Sequence, residues 1–204
     1  MAFALWVTGS SLSPLSRSSV PPGCDLTDLV SIKPRLAHAF PDPTLPNQRP
    51  SAHYEIKLMV FSGTCRCGHV TFESDCPPVM TTACHCVGCQ KMSASAFSLT
   101  ALFPAAAFAV TQGETVLGGL HGPTRHYFCA HCLTWLFTRP AGVDEYVGVR
   151  SSLLENPQHY RPFMETWTRE KLPWVTTGAS VSYEAFPDPQ DYPALMSQFR
   201  AGDK

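Results

Sequence analysis

At 204 residues the chain has room for one well-buried domain with a tail. A formal charge of −1 and an isoelectric point near 6.7 give no electrostatic case for nucleic acid or an anionic membrane as partner. No stretch approaches the roughly 20 uninterrupted apolar residues that span a bilayer.

Residues 1–57 form a Pro/Ser-rich N-terminal tail, with eight of the 19 prolines in the first 50 positions. Proline removes backbone donors and fixes φ, so no helix or central strand is expected there, and the segment reads as disordered. Met1–Val7 is too short and too poorly flanked for a signal peptide. The patterning also admits a start at Met59. Cys24 lies in the tail and receives no role.

From Met59 the patterning turns β-like. Val70 and Phe72 alternate with polar neighbours, and Phe97, Leu99, Ala101 and Phe103 form a second period-2 run that Pro104 ends. Val116–Leu117 sits between glycine turns. Arg125–Phe128 and Thr134–Thr138 flank a cysteine pair like hairpin arms, and Tyr146–Val149 and Phe163–Thr168 complete the strands. Short helices are expected at Cys86–Met92, Pro104–Phe108 and Asp191–Phe199. The domain spans 58–190, with 191–204 as a C-terminal tail. The expected class is mainly β, built of short antiparallel strands.

Nine cysteines is a high count, and seven of them cluster. Cys-x-Cys and Cys-x-x-Cys neighbours are poor disulfide partners, so thiols reduced and bound to metal, in a cytoplasmic setting, are the expectation. Sulfurs on one tetrahedral zinc lie roughly 3.8 Å apart. Cys65 and Cys67, two apart along a strand, can aim at one ion. Cys129 and Cys132 have the spacing of a turn that wraps two thiolates around zinc. Joining these pairs gives a closed structural site. The trio Cys84, Cys86 and Cys89 then keeps an open fourth position, as catalytic zinc does. The alternative groups the trio with Cys65 or Cys67 in one four-cysteine site.

Zn²⁺ with three thiolates carries a net charge of about −1, so it activates water poorly. It still holds a fourth thiol as thiolate, which suits adding a thiol to a carbon electrophile. Cys76 reads as a turn cysteine. His85 and His131 are expected beside ligands without ligating. His69, His121, His126 and His159 read as ordinary surface or half-buried residues, and Trp135, Trp167 and Trp174 as core.

Gly63-Thr64-Cys65-Arg66-Cys67-Gly68, Cys84-His85-Cys86-Val87-Gly88-Cys89-Gln90-Lys91 with Ser95-Ala96-Phe97, and Phe128-Cys129-Ala130-His131-Cys132 resemble the glutathione-dependent formaldehyde-activating enzyme family. That family includes the domain of centromere protein V. The likeness runs from Phe61 to Pro187 and includes Lys171-Leu172-Pro173-Trp174. It implies a β-tent fold with two zinc ions, a structural one on Cys65, Cys67, Cys129 and Cys132 and a catalytic one on Cys84, Cys86 and Cys89. It also implies a carbon–sulfur lyase resembling S-(hydroxymethyl)glutathione synthase, with glutathione and formaldehyde as partners. Leu133 departs from the family pattern, where glycine commonly follows the second cysteine, and Ser151–Glu155 replaces a more typical Gly-x-Leu-Asp stretch. The alternative function is a non-catalytic, zinc-stabilised binding module like the centromere protein V domain. The tail, with five Lys/Arg against four Asp/Glu, lacks the basic extension such a module is expected to carry.

Overall fold

The computed structural model describes residues 60–119 and 122–202, with two strands at 30–34 and 54–58. Those strands, β1 (Val30–Pro34) and β2 (Tyr54–Leu58), pair antiparallel with each other, Val30 opposite Leu58 and Pro34 opposite Tyr54. The sequence reading expects no such pair. Proline is tolerated because it closes β1, where a missing donor interrupts no central ladder. The rest of the tail, Cys24 included, lies outside the described residues, as does His121.

A three-stranded sheet, ordered β3-β4-β7, joins β3 (Phe61–Thr64), β4 (Thr71–Ser74) and β7 (Phe108–Gln112). An eight-stranded sheet carries the rest: β5 (Met80–Cys84), β6 (Ser98–Pro104), β8 (Thr115–Gly118), β9 (Arg125–Cys129), β10 (Trp135–Arg139), β11 (Tyr146–Val149), β12 (Met164–Thr166) and β13 (Val181–Ser182). Its order is β13-β12-β5-β6-β11-β10-β9-β8. The protein is mainly β, as its alternating runs imply. Pairing is antiparallel except that β12 runs parallel to both β5 and β13. Two short helices complete the described residues, α1 (Val87–Ser93) and α2 (Tyr192–Gly202).

The two faces of the large sheet have different tasks. Side chains alternate across a strand, so Ala101, Phe103, Val147 and Val149 point one way, into the core formed with Val70, Phe72 and Phe108 of the smaller sheet. Their neighbours Ser98, Thr100, Leu102, Tyr146 and Gly148 point the other way and line a cavity. Within the large sheet, Phe103 lies opposite Val147 and Ala101 opposite Val149. Fully burying a side chain of this size contributes about 1.5–3 kcal/mol.

Two expectations change. Pro104–Phe108 is a single 3-10 turn at Ala105–Ala107, after which the chain extends at once into β7. The helix expected at Asp191–Phe199 is present as α2. Helix α2 buries Leu195 and Met196, and Leu195 packs with Met80 and Met164 on the cavity side of the sheet. Trp174, expected in the core, is 73% exposed.

Candidate metal centres

Cys65 and Cys67 lie in the turn between β3 and β4, not along a strand as the two-residue spacing suggests. The Cys65 N–H donates to the Val70 carbonyl and the Gly68 N–H to the Cys65 carbonyl, both at 3.0 Å. The turn needs a left-handed residue, which Gly68 supplies at φ 75°. Cys129 ends β9, and Cys132 lies in the turn to β10.

These two turns bring four sulfurs together, all within 4.8 Å of one another. Cys65 Sγ is 3.4 Å from Cys67 Sγ, which is 3.9 Å from Cys129 Sγ. Backbone N–H groups face the sulfurs, Val70 N to Cys65 Sγ at 3.2 Å and Cys132 N to Cys129 Sγ at 3.5 Å. Such donors favour thiolate. The Thr134 hydroxyl, 3.1 Å from Cys132 Sγ, is the main cause that brings the Cys132 thiol down to about 5. Four close sulfurs with thiolate-favouring donors fit one tetrahedral zinc, and the set has no fifth partner to accommodate.

The second group is Cys84, Cys86 and Cys89, again within 4.8 Å of one another. Cys84 ends β5, held between Thr166 of β12 and Ser98 of β6 in the ladder. Cys86 is the N-cap of α1, its sulfur accepting the Cys89 N–H at 3.3 Å. Helix geometry therefore fixes Cys86 against Cys89. Cys89 is lowered to about 5 by its hydrogen bond with Cys84, against desolvation, with further lowering from Ser98, Cys86 and the charge of Arg150. The partner thiol, Cys84, is raised in turn. The grouping of Cys84, Cys86 and Cys89 with Cys65 or Cys67 does not occur, because the latter two face Cys129 and Cys132.

The trio differs from the four-sulfur set in what lies beside it. Cys84 and Cys89 border a cavity of about 740 Å³. Alternate residues of β5 and β6, Met80, Thr82 and Cys84 with Ser98, Thr100 and Leu102, form its floor, and Phe186, Tyr192 and Met196 close it from the C-terminal segment. Arg150, at the end of β11, is buried in its wall with the guanidinium 3.9 Å from the centre of the Trp135 ring. Burial pushes Arg150 down to about 10, while Cys89 and Cys84 attract its charge. The group stays cationic at neutral pH.

The histidines divide. His85 is fully buried and turns away from the sulfurs, its Nε2 3.1 Å from Glu165 Oε2. His131 is exposed and stacks on His69. His159 is exposed, whereas His126 is buried in the cavity wall with Nδ1 2.8 Å from the Thr138 hydroxyl. His126 thus departs from the expectation of a surface or half-buried residue. Cys76 is buried and disulfide-bonded, so the expectation of reduced thiols holds for the seven clustered cysteines and fails there. The sequence reading missed Arg150 and Glu165. The alternating row Met80-Thr82-Cys84 was the available signal that a strand face leads to the trio.

The family model of the glutathione-dependent formaldehyde-activating enzyme matches residues 60–170, a little over half of the chain. The chain belongs to that family. The match spans both sulfur groups and stops before the C-terminal segment that closes the cavity. A crystal structure of a Rhodobacter sphaeroides protein, a structural genomics target, is similar at 21% identity, covering 47% of this chain and 88% of that one with a TM-score of 0.38. No curated protein matches the chain. No helix among the described residues is long and apolar enough to cross a membrane.

Proposed function

We propose that the protein is a zinc-dependent carbon–sulfur lyase, resembling S-(hydroxymethyl)glutathione synthase. It joins a small thiol to formaldehyde or another small aldehyde, and the family name points to glutathione as the thiol. The carrying observation is that one sulfur group is closed with four ligands while the other has three and borders a cavity. Cys65, Cys67, Cys129 and Cys132 would hold a structural zinc that ties the first hairpin to the β9–β10 turn. Cys84, Cys86 and Cys89 would hold the catalytic zinc.

Zinc bound by the trio supplies a site that keeps an incoming thiol deprotonated near neutral pH. The chain's own residues do the rest. The cap geometry at Cys86 and the ladder position of Cys84 fix three sulfurs before substrate arrives. The Arg150 charge offsets part of the negative charge gathered there.

Isothermal titration of zinc-loaded full chain with glutathione tests the reading. Micromolar binding that Cys89→Ala abolishes with the fold intact, together with faster adduct formation with formaldehyde, supports it. A chain that neither binds the thiol nor accelerates the adduct contradicts it.

A further inference from the structure

The cavity beside the trio is large for the reaction just described. At about 740 Å³ it lies in the range that holds drug-sized ligands, whereas formaldehyde has one carbon and one oxygen. Its walls are apolar or hydroxyl-bearing: Leu102, Trp135, Val143, Met164 and Met196 beside Thr82 and Thr100. Beside the Cys84 and Cys89 sulfurs, Arg150 is the one Lys or Arg among the described residues that line it, and no carboxylate is present to receive an ammonium. Glutathione carries two carboxylates and an ammonium, which such walls would strip of water without replacement partners.

Charge accounting sharpens this. Three thiolates on Zn²⁺ sum to −1 and Arg150 contributes +1, so the chamber is balanced before any ligand enters. Arg150 Nε and Trp135 Nε1 are buried without a partner and closed to solvent, so they offer an entering ligand no free donor. A ligand that suits these walls is uncharged and mainly apolar.

We infer that the chamber binds the electrophile, a bulky uncharged aldehyde of aromatic or medium-chain class, leaving the charged ends of the thiol outside. The inference rests on the thiol-addition reading above. In the step, the thiolate sulfur forms a bond to the carbonyl carbon, the C=O π bond breaks, and its electron pair moves to oxygen. The oxygen then takes up from water a proton equivalent to the one the thiol released on binding. No oxidant or reductant is required. Phe186, Tyr192 and Met196, which line the chamber from the C-terminal segment, lie beyond residues 60–170, so part of its wall falls outside the family match.

The test uses zinc-loaded full chain and three probes in calorimetry: 2-naphthaldehyde, 2-naphthoate and formaldehyde. The expected result is micromolar binding of 2-naphthaldehyde, at least tenfold weaker binding of the naphthoate anion, and at least tenfold loss of aldehyde binding in Thr100→Trp. Val143→Trp, at a more exposed part of the wall, gives the same loss should Thr100→Trp fail to fold. Adduct formation with glutathione is then followed for both aldehydes. No naphthaldehyde binding, or naphthoate bound as tightly, overturns the inference even if formaldehyde is turned over. Naphthaldehyde binding with no adduct from either aldehyde overturns the proposed reaction and supports the ligand class of the chamber.

Discussion

His85 Nε2 lies 3.1 Å from Glu165 Oε2, joining the residue between Cys84 and Cys86 to a strand 80 positions away. An ionised carboxylate only accepts, so Nε2 carries the hydrogen and the ring points away from the trio. Glu165 also accepts from Lys171 Nζ at 2.8 Å, Thr177 Oγ1 at 2.7 Å and Ser182 Oγ at 2.8 Å. The Gln90 side chain donates to the Glu170 carbonyl at 2.9 Å, and the Glu170 carboxylate accepts the Val87 N–H at 2.6 Å. The Cys84–Cys89 loop is therefore held by a polar network behind it while Cys84 and Cys89 border the chamber.

That network carries a pH dependence. Burial pushes the Glu165 carboxyl up, but Lys171, Thr177, Ser182 and His85 together bring it down from 4.5 to about 2. A depressed folded-state value stabilises above the unfolded pKa, and the contribution disappears as pH falls from about 4.5 toward 2. Denaturant unfolding of wild type and Glu165→Gln should differ by up to about 3 kcal/mol at pH 7 and converge toward pH 2–3. A difference that stays constant with pH would remove Glu165 as the titrating group.

Leu133 has φ 58° and is 66% exposed, in the turn between Cys132 and β10. A side chain in that region costs roughly 1–2 kcal/mol, and little apolar burial is lost on removing this one. Leu133→Gly should raise stability by about 1 kcal/mol with zinc content unchanged. Thermal unfolding checks this, and a lowered midpoint would show that the leucine packs more than its exposure indicates.

Arg150 is buried near sulfurs whose summed charge it offsets, so breaking the pairing leaves negative charge without a partner. Arg150→Met should weaken metal held by Cys84, Cys86 and Cys89 by about tenfold in chelator competition, roughly 1.4 kcal/mol. The metal held by Cys65, Cys67, Cys129 and Cys132 should be unaffected. Equal weakening at both would indicate a general loss of fold.

Which parts were legible in the sequence follows from how local each signal is. The separation of seven cysteines into four and three could be read from spacing, because two pairs and one trio each lie within a few residues, and the two pairs together make up four. The strands β6, β9, β10 and β11 were legible because each is a short run of β-branched, aromatic and aliphatic residues bounded by turn residues or proline. Arg150 and Glu165 were not, since each is a single polar residue whose partners arrive through strand pairing far along the chain. Strand β7 was hidden by the 3-10 turn from which it emerges, and β1 and β2 by the prolines around them. Trp174 misled because a large aromatic reads as core wherever it falls, while the loop after Lys171 leaves it in solvent.

Loss of the two metal groups should have opposite effects on the fold. Cys129→Ser removes a ligand that ties two distant turns together, and structural zinc contributes on the order of 10 kcal/mol in small domains. Cooperative unfolding should be lost in that variant. Cys89→Ser should retain a cooperative transition, since sheet pairing and the Glu165 network hold its loop. Circular dichroism melts of the two variants compare them directly.

The division of labour between four sulfurs and three is tested most directly by elemental zinc per chain on wild type and on Cys86→Ser. Two zinc ions falling to one, with the fold retained, is the result expected of one closed site and one open site. One zinc in the wild type, or two in the variant, would contradict it.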